Sequence, residues 1–183
     1  MSNQTSMTLL DPGSAPSGLS AVSGSGFGHD RAPDGKEEWL TPPEILKALG
    51  EFDLDPCAPI VRPWEMAKAH YTWQDNGLLK PWTGRVWCNP PYGAETPRWM
   101  KRMADHGNGI SLIFARTETG TFFDSVWGVA DGLLFLRGRL AFHNVDGTRG
   151  KMSAGAPSVL IAYGKANRRV LQTCGLDGAF VIP

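Results

Sequence analysis

The stretch Arg85-Val-Trp-Cys-Asn-Pro-Pro-Tyr-Gly93 constrains this chain more than any other. Val86-Trp87-Cys88 is a short apolar run of the kind that forms a buried strand, and it stops at two prolines. Neither Pro90 nor Pro91 has an N–H to donate, so no sheet ladder continues beyond Asn89. Pro91 also pushes Pro90 out of the helical region. Asn89, Pro90, Pro91 and Tyr92 are therefore expected to form a stiff, extended turn. That turn presents an amide, a carbonyl and an aromatic ring together at the C-terminal end of a strand, the edge where open α/β sheets bind ligands. A plain Pro-rich turn is the bland alternative.

The rest of the chain supplies a sheet to hold that turn. Residues 1–35 are rich in Ser, Gly and Pro, without apolar periodicity, and read as a disordered leader; residues 36–183 read as one domain. Gly24-Ser-Gly-Phe-Gly28 has no strand before it and no helix pattern after it, so it carries no phosphate-loop inference. Thr41 with Glu44 three residues on reads as a capping box, opening a helix of about seven residues that ends at Gly50. Phe52-Asp-Leu-Asp-Pro56 alternates and then breaks, which places Asp55 at the end of a short strand. Residues 67–72 read as a second strand, residues 95–103 as a helix burying Trp99, Met100 and Met103, and residues 109–115 as a fully buried strand. A short helix over 121–129, a strand over 132–136 continuing through 142, a loop over 144–156, a strand over 158–163 and a last short strand near 179–182 complete the pattern. Strands alternating with helices predict an α/β domain with a mainly parallel sheet. The last strands, joined by loop alone, predict an antiparallel hairpin at one end.

Composition narrows the function classes only partly. Eighteen basic residues balance eighteen acidic ones, which neither demands nor excludes nucleic acid. Cys57, Cys88 and Cys174 are odd in number and widely spaced, with no C-x-x-C or His/Cys cluster, so neither a zinc site nor a disulfide framework is expected. No apolar run approaches the length of a membrane span, and Met7-Thr-Leu-Leu10 is too short for a signal peptide. A cytoplasmic protein without metal or membrane is the expectation. Asp75, in the turn Gln74-Asp-Asn-Gly77, is a possible ligand contact, although an Asp before Asn-Gly also has a local turn role. Arg98, Lys101 and Arg102 form either a solvated basic face or a DNA contact.

Trp39-x-Thr-Pro42, Phe52-Asp-Leu-Asp-Pro-Cys-Ala58 and Trp87-Cys-Asn-Pro-Pro-Tyr-Gly93, in this order and spacing, closely resemble the phage-encoded DNA N-6-adenine methyltransferase (Dam-like) family. The similarity runs from about residue 37 to 164. It implies a Rossmann-like, S-adenosylmethionine-dependent methyltransferase sheet, S-adenosylmethionine as cofactor and adenine in DNA as substrate. By the same resemblance, Asn89 to Tyr92 match the catalytic motif of amino-methyltransferases. Asp55, Pro56, Cys57 and Ala58 stand where the cofactor loop follows the first strand, and Trp39, Thr41 and Pro42 stand in an N-terminal element that closes over the cofactor's methionine end. The sequence departs from methyltransferases at large in lacking Gly-x-Gly in that first loop.

The residues support such a chemistry on their own terms. Adenine N6 is a weak nucleophile because its lone pair is delocalised into the ring. Two acceptors on its hydrogens, the Asn89 side-chain oxygen and the Pro90 carbonyl, draw it towards tetrahedral geometry and stabilise the charge that develops on it. The base must leave the duplex to reach them, and Tyr92 offers a ring on which to stack. Two alternatives stay open: a methyltransferase acting on another planar amide such as protein glutamine, and a non-catalytic DNA- or cofactor-binding relic.

Overall fold

The structure, a computed structural model, describes residues 38–183. The predicted leader and the Gly24–Gly28 stretch lie outside the described residues. In chain order the elements are α1 (Pro43–Leu49), β1 (Leu54–Asp55), β2 (Ala69–His70), β3 (Val86–Cys88), α2 (Thr96–His106), β4 (Gly109–Phe114), α3 (Gly120–Ser125), β5 (Gly132–Leu136), β6 (Ser158–Tyr163), α4 (Lys165–Thr173) and β7 (Gly178–Val181). The strands form one sheet in the order β2-β1-β3-β4-β6-β5-β7.

The central strands are buried on both faces, and side-chain alternation divides the core in two. Trp87, Ile110, Leu112, Leu134, Leu160 and Ala162 point to the face covered by Ile45 and Leu49 of α1 and Leu171 of α4. Val86, Cys88, Ile113, Leu133, Val159, Ile161 and Tyr163 point to the other, covered by Trp99, Met100 and Met103 of α2 and Phe122 of α3. Two buried faces explain why these strands read as unbroken apolar runs rather than alternating ones. Arg85, just before β3, ties the base of the domain together. Its guanidinium donates to Asn167 Oδ1 at 2.6 Å, to the Glu51 carbonyl at 2.7 Å and to the Leu49 carbonyl at 3.0 Å, and lies 4.2 Å over the Phe52 ring.

The expected mainly parallel sheet is corrected by the pairing. β1 pairs in parallel with β2 and β3, and β3 with β4, but these ladders are short. β6 runs antiparallel to both β4 and β5, and β7 antiparallel to β5, and these pairings carry most of the registered residue pairs. The sheet is mixed. β5 and β6 do pair antiparallel, joined by the connection over 137–157, but they do not close the sheet's end. β6 is inserted between β4 and β5, and β7 forms the edge.

Smaller differences have local causes. The N-cap of α1 is Pro42 and no side chain caps it, so Thr41 forms no capping box. Pro43 has no N–H to satisfy, which lowers the need for a cap, and the Thr41 hydroxyl faces Asn89 instead. The strand predicted through 142 stops at Leu136, because 137–142 peels away from the sheet into the connection. Helix α4 lies in a tail expected to hold only a strand; its start at Lys165 follows Gly164, whose φ of 90° favours glycine. Among the described residues no helix is long and apolar enough to cross a membrane.

Candidate active site

Strand β1 has β2 on one side and β3 on the other, so the chain's direction of sheet growth reverses between β1 and β3. The C-terminal ends of two strands flanking such a reversal leave a crevice between their loops. Asp55 ends β1 and Asn89 follows β3, and the two loops converge on one cavity of about 320 Å³. Its wall holds Asp55, Pro56, Cys57 and Ala58 from the first loop and Asn89, Pro90, Pro91 and Tyr92 from the second. Trp39 closes it from the N-terminal side. Eight of the residues selected from sequence alone thus lie on one surface with Trp39.

Asn89 is held by one end of its amide and open at the other. Its Nδ2 donates long hydrogen bonds to the Trp39 carbonyl and to Thr41 Oγ1, both at 3.4 Å. The Trp39 carbonyl can only accept, so it fixes which end of the amide is nitrogen. The Asn89 Oδ1 is buried and has no hydrogen-bond partner. A buried acceptor without a donor costs about 1–3 kcal/mol. The Asn89 carbonyl accepts from the Cys57 thiol at 3.3 Å, which ties the two loops to each other. The Cys88 sulfur 4.0 Å away, together with burial, pushes the Cys57 thiol well above its ordinary value, so it stays a donor.

Asp55 is 2 % exposed. The Cys57 backbone N–H donates to its Oδ1 at 3.0 Å, yet burial dominates and raises its carboxyl from 3.8 to about 7. A carboxylate at this depth favours a cationic or hydroxyl-bearing ligand, whose arrival offsets the cost of its charge.

Tyr92 is backed rather than free on both sides. Its ring stacks on Phe114 at 4.2 Å and 15°, and meets the edge of Phe142 at 6.3 Å. One face is thus occupied from behind by Phe114. The phenol oxygen is buried without a partner, and burial pushes its ionisation up.

Three selected residues are placed elsewhere. Thr41 is fully buried behind Asn89 and Pro42 caps α1, so both act from behind the cavity wall. The exposed Asp75 carboxylate accepts from the Thr72 N–H at 2.8 Å and from its hydroxyl at 3.0 Å, and is not part of the wall. On α2, Arg98 pairs with Glu95 and Lys101 with Asp105, and Arg102 lies over Trp82, which accounts for the basic face locally.

The wall also contains residues that pattern reading passed over: Glu38, Thr72, Trp73, Asn76, Gly77, Glu95 and Trp99. Asn76 has a φ of 54°, and the Asn-Gly pair that signals a turn was the available clue. Gly77 is required by proximity, because a Cβ there would run into the Pro56 carbonyl. Among the described residues no group of three or more His, Cys, Asp or Glu side chains could hold a metal ion.

No curated protein and no solved structure matches the chain. A family model does, over residues 30–176, and its match takes in every wall residue just described. The chain belongs to the DNA N-6-adenine-methyltransferase (Dam) family.

Proposed function

We propose that this DNA adenine methyltransferase acts by turning the target adenine out of the duplex and methylating N6 directly, with S-adenosylmethionine as cofactor. The observation that carries the reading is the buried, partnerless Oδ1 of Asn89 at the mouth of the β3 turn. An amino group is the ligand that such an acceptor lacks. The Asn89 Oδ1 and the Pro90 carbonyl accept the two N6 hydrogens, localise the lone pair and stabilise the positive charge that grows as the new bond forms. Anchoring of the opposite end of the Asn89 amide to Trp39 and Thr41 holds that oxygen in place before the base arrives, so little is lost to reorganisation. Tyr92, stiffened from behind by Phe114, receives the base on its other face, a stacking contact worth roughly 1–3 kcal/mol.

S-adenosylmethionine, when bound, supplies an electrophilic methyl group. The residues present fit it: the buried Asp55 suits the ammonium or ribose hydroxyls, and the aromatic rings of Trp39 and Trp73 line the same cavity. The glycine absent from the first loop has a counterpart in the 73–79 loop that packs on it. Gly77 packs against Pro56, so the close backbone approach is made by that loop. The topology, with a reversal at β1/β3 and an antiparallel strand inserted between β4 and β5, supports a Rossmann-like methyltransferase arrangement. Modification of phage or prophage DNA at specific sites, protecting it from restriction, is the role that the family resemblance suggests.

The test is incubation with methyl-labelled cofactor and adenine-containing DNA, followed by nucleoside analysis, beside an Asn89→Ala control. N6-methyladenine should form, and the variant should lose about 10²–10³-fold in kcat while cofactor affinity, by calorimetry, stays nearly unchanged. Label arriving on protein glutamine and none on DNA would sink the reading. Absence of cofactor binding by well-folded protein would mark a non-catalytic relic.

A further inference from the structure

Residues 137–157 connect β5 to β6 and return to the edge of the sheet that carries the candidate active site. They do so because β6 runs against β4: Ser158 is in register with Phe114, the residue whose ring backs Tyr92. The connection is pinned at several points. His143 bridges to Leu40 and to Arg149. Arg139 Nη1 donates to the Gly155 carbonyl at 2.9 Å. The Gly150 N–H donates to the Phe142 carbonyl at 2.7 Å and the Ala154 N–H to the Leu140 carbonyl at 2.6 Å. A Cβ on Gly150 would lie 3.5 Å from the Trp39 ring, so the chain turns directly above a wall of the cavity.

Between the two anchored positions, Lys151, Met152 and Ser153 are all exposed, and Met152 is 68 % exposed. A tip footed by these hydrogen bonds and holding a long, unbranched apolar side chain beside a cation gains nothing from the protein's own core. Its two properties do match the needs of a duplex from which one base has been removed. The gap left in the stack is apolar and slot-shaped, and wedges of Met, Leu, Ile or Phe fill such gaps in proteins that distort DNA. Met is unbranched and polarizable, which suits an irregular slot, and Lys151 beside it can meet the flanking phosphates.

We propose that Met152 is the wedge that occupies the base stack while the target adenine sits in the Asn89–Tyr92 site, a positioning residue that favours extrusion without touching the reacting atoms. This rests on the proposed base-turning methylation of adenine N6. The wedge acts on the paired substrate alone: once the target base has no partner to leave, its contribution falls away.

The experiment uses full-length wild type, Met152→Ala and Met152→Leu with two synthetic duplexes. Both carry an adenine site found by sequencing methylated positions in DNA from cells expressing the protein; one is fully paired and the other has an abasic site opposite the target adenine. Met152→Ala should lose about tenfold or more in kcat/KM on the paired duplex and come within about threefold of wild type on the abasic one, while Met152→Leu stays within about threefold on both. Equal loss on the two duplexes, or no loss on the paired one, overturns the wedge and leaves adenine methylation standing. Wild type that transfers no methyl to the paired duplex overturns the methylation reading and the wedge with it.

Discussion

Tyr92 shows how far a single residue can be read and where the reading needs the fold. Its place after two prolines marked it as a ring presented at a strand end, but nothing in the sequence said that Phe114, 22 positions away and on another strand, would take one face. That backing separates what the ring does from what its hydroxyl does. The hydroxyl is buried without a partner, so its removal relieves an unsatisfied group rather than breaking a contact. Tyr92→Phe should therefore keep most activity and melt no lower than wild type. Tyr92→Ala should lose the stacking surface and the Phe114 contact together, costing about 3 kcal/mol or more of stability and most of the activity. Steady-state rates beside thermal melts of both variants check this, and equal activities would remove stacking from the account. Asn89 was legible for a simpler reason: an amide before two prolines has few structural uses. The orientation that leaves its Oδ1 without a partner depends on Trp39 and Thr41, about fifty residues upstream, which no local pattern links to it.

Elements were legible where a run of residues meets one environment. Strands β3, β4 and β6 and helix α2 were placed within a few residues, because each is long enough or apolar enough for periodicity to speak, whereas β5 was carried on to residue 142 and ends at Leu136. β1 and β2 are two residues each and owe their pairing to neighbours. The least legible element is the loop over residues 73–79. It contributes Trp73, Asn76, Gly77 and Leu78 to the cavity wall and depends on Gly77, whose missing side chain lets it close on Pro56. A sequence scan sees only a common turn there. Gly77→Ala should push this loop off the first loop by forcing a methyl into the Pro56 carbonyl and against Trp99. The expected result is a cofactor affinity weaker by about tenfold or more, with the sheet intact, since overpacking costs typically 1–3 kcal/mol and here falls on a loop. Calorimetric titration with the cofactor, beside far-UV circular dichroism, measures it. Unchanged affinity would mean that the 73–79 loop is not a wall of the cofactor site.

At the scale of the whole molecule the sheet could not be read as mixed, because direction is not a local property. β6 has the same apolar run whether it joins as a parallel or an antiparallel strand, and only its insertion between β4 and β5 decides. The parallel half carries the candidate site, and the antiparallel half brings the 137–157 connection back to the same edge. The domain also carries a global cost at that edge. Asp55 is the one carboxylate among the described residues raised strongly, to about 7 from 3.8, chiefly by burial. A folded-state value above the unfolded one means that folding is helped while the group holds its proton. That help is fully present below about pH 4 and is lost as pH rises through 7, which amounts to something on the order of 4 kcal/mol. Asp53, Glu65, Asp75 and Asp146 are shifted down and act in the opposite sense, losing their stabilisation as pH falls below about 4, so the raw profile mixes both. The difference between Asp55→Asn and wild type isolates the one group. The variant should gain stability relative to wild type from pH 5 to pH 8, measured by urea unfolding across that range, and a flat difference would refute the assignment. Cofactor binding follows from the same linkage. A cationic ligand favours ionised Asp55, so wild-type affinity should strengthen as pH rises towards 7 and level off above it, whereas Asp55→Asn should bind more weakly and with no such slope.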